Sequence, residues 1–342
     1  LAEFGRLDHR MHNKAMVIDN QVAIVGGRNI ADEYFGLDDG ANFRDLELLL
    51  GGSIVQEVST AFDNYWNDRW SFPIESLSHE KASPEQLAEA RHVTNASVHI
   101  HDEESTEEVI ARWIEAMGRA DTGEAILFVD APPRDNPKNR DEEPVQVANE
   151  LTKLFDGAES EIIIVSAYLI PTPELEGAVE RALDRGVIVR ILTNSIGSNN
   201  HLSAHSAYRN HIDTLLEHGA ELHEVRMNAR DRDRYILTPV GRKTLALHAK
   251  ALLIDNDMVF VGSANLDPRS LRINTEMGLL VLSEQFNAKL RSALEGDFST
   301  ANAWRLELQS DGKVFWVSDD ETLQSQPATS FTQRIEDWFF SH

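Results

Sequence analysis

No cysteine occurs among the 342 residues. That excludes disulfides, thiolate metal sites and a cysteine nucleophile, and it suits a reducing compartment. Basic side chains are scarce, 32 against 57 acidic, and the formal net charge is -25. Such a surface repels polyanions, which counts against a generic nucleic-acid binder; it reads most simply as a solubility or salt-adaptation feature. No apolar run approaches the roughly 20 residues of a membrane-spanning helix. No signal peptide is visible either, in a chain that starts at Leu1 rather than Met. What is present is a hydrophobic share of 42%, enough for a large core and for two domains or two fused halves.

One stretch occurs twice. The first copy runs His12-Asn13-Lys14-Ala15-Met16-Val17-Ile18-Asp19, then through Val25 to Gly26-Gly27-Arg28-Asn29. The second runs His248-Ala249-Lys250-Ala251-Leu252-Leu253-Ile254-Asp255, then through Val261 to Gly262-Ser263-Ala264-Asn265. Polar residues repeated at fixed offsets within apolar runs point to two halves that build one site. Each copy reads as a β-hairpin, with Asp19-Asn20 supplying two-residue turn chemistry in the first. That loop places Ile18 opposite Gln21 and His12 opposite Gly27. Side-chain alternation then puts His12, Lys14, Gly27 and Asn29 on one face, and likewise His248, Lys250, Ser263 and Asn265. Asp19 and Asp255 fall at the turns, as turn or packing residues.

These residue types suit metal-free displacement at a phosphodiester. One neutral histidine attacks phosphorus while a protonated one donates to the leaving alkoxide. Lys14, Lys250, Asn29 and Asn265 supply donors for the phosphoryl oxygens, and the glycines let backbone approach the phosphate. Each imidazole needs an acceptor on its other nitrogen. Glu276, at the head of the 277–282 strand, is expected to orient His248; Asp45, at the matching place before 46–50, is expected to orient His12. No cofactor or metal is expected. His79, His92, His99 and His101 lack a metal-ligand framework and read as surface residues.

Along the chain, 43–50 reads as a strand. Residues 53–70 read as an amphipathic helix whose Val55, Val58, Phe62, Tyr65 and Trp66 are expected in the core. Residues 76–107 read as a linker with a short helix. From Ala125 strands and helices alternate: strands over 126–129, 162–166, 187–192 and 221–225, helices over 145–155, 173–185 and 205–218. Apolar strands in that order predict a mainly parallel sheet covered on both faces. Trp304, Trp316 and Trp338-Phe339-Phe340 are expected to pack under the C-terminal end. The expected division is 1–75 for the first half, 76–107 for the linker, 108–300 for the second half and 301–342 for a tail.

His-x-Lys-x4-Asp followed by Gly-Gly/Ser-x-Asn, in two copies, resembles the phospholipase D superfamily. Within it the chain is most similar to bacterial cardiolipin synthases of the C type. The likeness is carried by Arg10-Met11-His12-Asn13-Lys14, Tyr34-Phe35-Gly36, Ser166-Ala167-Tyr168-Leu169-Ile170-Pro171-Thr172, Leu192-Thr193-Asn194-Ser195, Asp267-Pro268-Arg269-Ser270, Asn274-Thr275-Glu276-Met277-Gly278 and Pro327-Ala328-Thr329-Ser330-Phe331. It implies an α/β fold of two similar α-β-α sandwich halves around a pseudo-twofold axis. The first half is expected to be N-terminally truncated, because His12 lies close to Leu1, and the protein to be longer than this chain.

The resemblance further implies phosphatidyl transfer through a phosphohistidine, making cardiolipin from phosphatidylglycerol and a donor, phosphatidylethanolamine for the C type. His12 is then the nucleophile and His248 the acid and later the base, in roles that are open to reversal. Other readings are a phospholipase D-type hydrolase, a nuclease of the same superfamily, and an inactive fragment. The expected location is the bacterial inner membrane, peripheral, on the cytoplasmic side. Phospholipids and the membrane surface are the expected partners, reached through a rim that uses Arg28, Arg44, Arg269 and Arg272.

Overall fold

The computed structural model describes residues 9–38, 40–78, 81–97, 105–132, 146–199, 201–231, 244–328, 330 and 333. His79, His99, His101, Trp338-Phe339-Phe340 and most of the expected loops at 130–144 and 228–242 lie outside the described residues.

The first motif folds as an antiparallel hairpin of β1 (Ala15–Ile18) and β2 (Val22–Gly26). The expected 43–50 strand is two strands, β3 (Ala41–Arg44) and β4 (Glu47–Gly51), which part at Asp45-Leu46. β4 pairs with β2, giving a three-stranded sheet in the order β1-β2-β4, while β3 pairs elsewhere. Helix α1 (Ile54–Trp66) follows and buries Ile54, Val55, Val58 and Ala61. Phe62 and Trp66, expected in the core, are instead exposed. The small residue Ala61 occupies the inward position one step away, so the aromatic residues turn outward.

Short helices α2 (Ile74–Leu77), α3 (Pro84–Ser97) and α4 (Thr106–Gly118) come next. A reciprocal Ser105–Glu108 capping box starts α4. These helices belong to a compact unit of residues 63–122, separate from the unit formed by 1–62 and 123–342. Both copies of the motif therefore fall in one unit.

The larger unit continues with β5 (Glu124–Val129), α5 (Gln146–Gly157), β6 (Glu161–Ser166), α6 (Pro173–Asp184), β7 (Ile188–Asn194), α7 (Leu202–Glu217) and β8 (Glu221–Val225). After them come β9 (Thr244–Leu247), β10 (Lys250–Ile254), β11 (Met258–Gly262), the short helix α8 (Pro268–Arg272), β12 (Met277–Leu282) and α9 (Glu284–Glu295). The segment expected as a tail adds β13 (Ala303–Leu308), β14 (Val314–Val317) and β15 (Thr322–Leu323). It joins the sheet because Trp304, Leu306 and Trp316 extend the same buried cluster as the central strands.

The ten-stranded sheet has the order β15-β14-β13-β8-β7-β6-β10-β11-β12-β5. Only the β6–β7 and β7–β8 pairings are parallel; the rest are antiparallel. The sheet is thus mixed rather than mainly parallel, since hairpins contribute the strands on both sides of the βαβ core. Alternation divides the central strands cleanly. Ile162, Ile164, Val189 and Ile191 pack with Leu151, Phe155, Leu175 and Ile212, while Ile163, Val165 and Leu192 pack with Leu294 and Phe298 on the other face. The three-stranded sheet buries Ala23 and Val25 against Met277 and Leu279 of β12.

Two crossings join the copies. β3 pairs in parallel with β9, from Ala41 opposite Thr244 to Arg44 opposite Leu247. In the same sense Met11 bridges Thr275, with the His12 amide donating to the Thr275 carbonyl at 2.9 Å. The strand leading to each histidine therefore runs beside the strand leading to the other copy's carboxylate.

Candidate active site

The hairpin register differs by one residue from the two-residue-loop expectation. Ile18 stands opposite Val22 and Ile254 opposite Met258, so Asp19-Asn20-Gln21 and Asp255-Asn256-Asp257 are three-residue loops. Asp19 and Asn20 both take left-handed φ, 51° and 54°, and the Gln21 amide closes the turn on the Ile18 carbonyl at 3.0 Å. Gln21 is then the extra, bulged residue. One residue of slip sends positions 27 and 263 to the face away from their own histidines.

The same slip explains where those positions act. Gly26 faces Glu47 and Gly262 faces Gly278, so Asp45 and Glu276 occupy equivalent places two residues earlier. Each residue at 27 or 263 lies against the carboxylate of the neighbouring strand. Ser263 Oγ donates to Glu276 Oε2 at 2.5 Å. A Cβ on Gly27 would come within 2.5 Å of Asp45 Oδ1, so a bare backbone is required there.

The carboxylate–histidine pairing is crossed, which corrects the expected assignment. Glu276 accepts from His12 Nδ1 at 2.8 Å, and Asp45 accepts from His248 Nδ1 at 2.6 Å. The cause is the pair of parallel crossings. The His248 and Ala249 amides both bond the Arg44 carbonyl, one residue before Asp45. The Thr275 carbonyl, one residue before Glu276, takes the His12 amide. Nδ1 is thereby fixed on a carboxylate and Nε2 is left as the reactive nitrogen of each ring.

Both lysines sit among both carboxylates. Lys14 Nζ donates to the His12 carbonyl at 2.8 Å, and Lys250 Nζ donates to the His248 carbonyl and lies 2.9 Å from His248 Nδ1. Burial pushes each ammonium down to about 8, against the opposing pull of Glu276 and Asp45. Burial, aided by the Lys250 charge and opposed by Asp45, pushes His248 down to about 4. The two histidines differ in access, with side-chain exposures of 25% for His12 and 9% for His248.

Other expected residues have narrower placements. Asn29 Nδ2 donates to the Tyr34 hydroxyl at 2.8 Å, and the Tyr34 ring meets His248 edge-on with centroids 5.0 Å apart. Asn265 is buried, with an Oδ1 that has no hydrogen-bond partner among the described residues. Asp19 is exposed at its turn. Asp255 accepts from the amides of Glu159, Ser160 and Glu161 and from Ser160 Oγ, pinning the second turn to the start of β6. Partial burial works against its charge, yet these bonds hold its carboxyl below the usual range.

Among the expected rim arginines, Arg28 pairs with Glu47, Arg44 with the buried Asp297, and Arg272 with Glu174. Sequence reasoning missed the aromatic walls of His248, where Phe43 stacks on the ring with centroids 5.8 Å apart. It also missed Asn13, which accepts from Thr275 Oγ1 at 2.7 Å and donates to the Glu276 carbonyl at 3.2 Å. The available signal for Asn13 was a polar residue inside only one of the two His-x-Lys motifs. Among the described residues no helix is long and apolar enough to cross a membrane.

Comparison with known proteins places this geometry. Residues 151–298 match a family model described as cardiolipin synthase, PLD-like domain. The chain is 32% identical over 353 aligned positions to cardiolipin synthase C of Escherichia coli, covering 98% of this chain and 72% of that protein. It is 27% identical over 320 positions to a cardiolipin synthase of Listeria monocytogenes serotype 4a, covering 93% of this chain and 54% of that protein. Among solved structures, the phosphatidylserine synthase of Haemophilus influenzae superposes with a TM-score of 0.54 at 15% identity, over 88% of this chain and 64% of that one. That likeness speaks for the fold, a mixed α/β, phospholipase D-like one. With a third of its residues shared along nearly its whole length, and with both His-x-Lys motifs converging on one pair of carboxylates, the chain belongs to the cardiolipin synthase family of phospholipase D-like enzymes.

Proposed function

We propose that the chain transfers a phosphatidyl group from phosphatidylethanolamine to phosphatidylglycerol, making cardiolipin through a phosphohistidine. The observation that carries this reading is the pair of crossed His–carboxylate contacts, with the half-buried Lys14 and the buried Lys250 beside both carboxylates. Nε2 of one histidine attacks phosphorus, and the bond from phosphorus to the ethanolamine oxygen breaks. The second histidine gives its proton to that oxygen. It then takes the proton of the phosphatidylglycerol hydroxyl, whose oxygen attacks phosphorus and breaks the N–P bond. Lys14 and Lys250 stabilise the charge on the phosphoryl oxygens.

The unequal histidines favour His248 as the attacking group, the reverse of the order that the resemblance implied. Burial keeps its imidazole neutral, as a nucleophile must be, and Asp45 fixes its Nδ1. His12 is the more open of the two and can exchange its proton with an incoming hydroxyl. Phospholipid substrates also favour a peripheral location at the inner membrane, which fractionation of cells tests.

Purified protein on mixed phosphatidylethanolamine and phosphatidylglycerol vesicles, in EDTA, tests the activity. Cardiolipin is the expected product; phosphatidic acid alone would make the protein a hydrolase. A p-nitrophenyl phosphodiester, whose leaving group needs no acid, tests the roles. His12→Ala should still give a stoichiometric burst and a trapped phospho-enzyme, and His248→Ala should give neither; the opposite pattern restores His12 as the nucleophile.

A further inference from the structure

Glu276 is held from behind by a residue that the transfer steps do not use. Asp130, just after β5, is buried. Its amide donates to the Glu276 carbonyl at 2.9 Å, and its Oδ2 accepts from the Glu276 amide at 2.8 Å. Both backbone polar groups of Glu276 thus bond Asp130, and the carbonyl also accepts from Asn13 Nδ2. Asp130 Oδ1 accepts from the Val147 amide at 3.0 Å, in the first turn of α5, where unpaired N–H groups and the helix dipole favour an anion.

A carboxylate in this place is costly. Burial pushes Asp130 up to about 6; the Val147 and Glu276 amides pull it down, and the nearby Glu276 charge pushes it up again. Asparagine would avoid the charge but could not serve both contacts. Two N–H donors approach two different oxygens, and an amide NH2 in either place would face an N–H. The geometry therefore selects a carboxylate for its two acceptors. Through it, the seat of Glu276 is tied to the start of a helix that carries Val147, Leu151 and Phe155 into the core.

We propose that Asp130 is a positioning residue for the transfer: by locking the Glu276 backbone to the start of α5, it sets the angle at which the Glu276 carboxylate meets His12 Nδ1. The proposal rests on reading His12 and Glu276 as a working pair. Ser263 Oγ on Oε2 then fixes the carboxylate's rotation, while Asp130 fixes its origin.

The test is Asp130→Asn in the full chain, alone and combined with Glu276→Gln. Misplacement of a general acid by a fraction of an ångström predicts a fall in kcat of about tenfold with KM unchanged within about twofold. If Asp130 acts through Glu276, Asp130→Asn should cost nothing further in the Glu276→Gln background. The His12 ring resonances, identified by their loss in His12→Gln, should move in Asp130→Asn at fixed pH, because the Nδ1–carboxylate contact changes. That readout needs no turnover, so it separates failure of this proposal from failure of the transfer reading. Unmoved His12 ring resonances, or the same loss of kcat in both backgrounds, overturn the proposal. If Asp130→Asn does not fold, hydrogen exchange of the Glu276 amide in the unsubstituted protein decides. Strong protection is expected, and exchange at the rate of an open amide overturns it.

Discussion

His12 and His248 carry the same motif but stand in different surroundings. His248 packs against the Phe43 and Tyr34 rings and is 9% exposed, whereas a quarter of the His12 side chain is open. The lysines share one electrostatic centre, and their lowered values, about 8 against 10.5, set an alkaline limit. As pH rises through 8 they lose charge and the phosphoryl oxygens lose their partners, so turnover should fall there. Their contribution to stability moves the opposite way. The folded state holds fewer lysine protons than the unfolded chain between 8 and 10.5, so this contribution rises with pH in that window. His248, about 4 against 6.5 when unfolded, gives a contribution that is full above 6.5 and declines as pH falls towards 4. A pH–rate profile set beside melting curves checks both signs, and an alkaline limb near 10.5 would refute the lysine assignment. The crossed contacts give a second prediction, read by NMR: Asp45→Asn should shift the titration of His248, whose Nδ1 it holds. His, Lys and both carboxylates were legible in the sequence because duplication marks equivalent positions. Duplication cannot say which copy's carboxylate serves which ring, since equivalence is preserved under exchange.

At the scale of elements, the motif's aspartates illustrate what a pattern can and cannot say. Asp19 and Asp255 were legible as turn residues from their place between apolar runs. The one-residue register slip was not: both hairpins take a three-residue loop, although the second has left-handed backbone at Asp255 without it at Asn256. The two turns also do different work. Asp255 collects three amides and a hydroxyl at the start of β6, whereas Asn20 only accepts from Ser59. Asp255→Ala should therefore lower stability by about 1.5–3 kcal/mol, the worth of bonds to a charged acceptor, while kcat in the surviving folded fraction stays unchanged. Chemical denaturation and vesicle assays on the same preparation would show it, and a large loss of kcat would give Asp255 a direct role. The outward turn of Phe62 and Trp66 was hidden for another reason: periodicity names a stripe but not its edges. Ala61, too small to stand out in the sequence, takes the inward place.

Charge is the property of the whole molecule that most affects its dealings with lipid. A chain with a net charge of -25 would be repelled by a phosphatidylglycerol-rich surface. Arg28, Arg44 and Arg272 do little to offset it, each being spent on Glu47, Asp297 or Glu174. Binding to phosphatidylglycerol vesicles should therefore strengthen as salt rises from about 0.05 to 0.3 M, since the screening length shortens from above to below about 10 Å. Sedimentation with vesicles checks this, and weaker binding at high salt would reveal a cationic contact. The acidic balance was legible from composition alone; the pairing of the arginines needed the fold, because their partners lie as far along the chain as Asp297 from Arg44.

The two crossings bear on the order in which the molecule comes together. His12 waits for a partner 264 residues further on, and His248 for one 203 residues back. Hairpins such as β1–β2 and β10–β11 close over a few residues, while contacts of such long span carry the largest loop-closure entropy and form late. Sheets and helices can thus be in place before any imidazole has its carboxylate. A chain still emerging during synthesis has no working half-site, because each motif needs the other copy's strand. Reactivity towards phosphodiesters therefore requires that the segments around residues 12 and 45 have met those around 276 and 248.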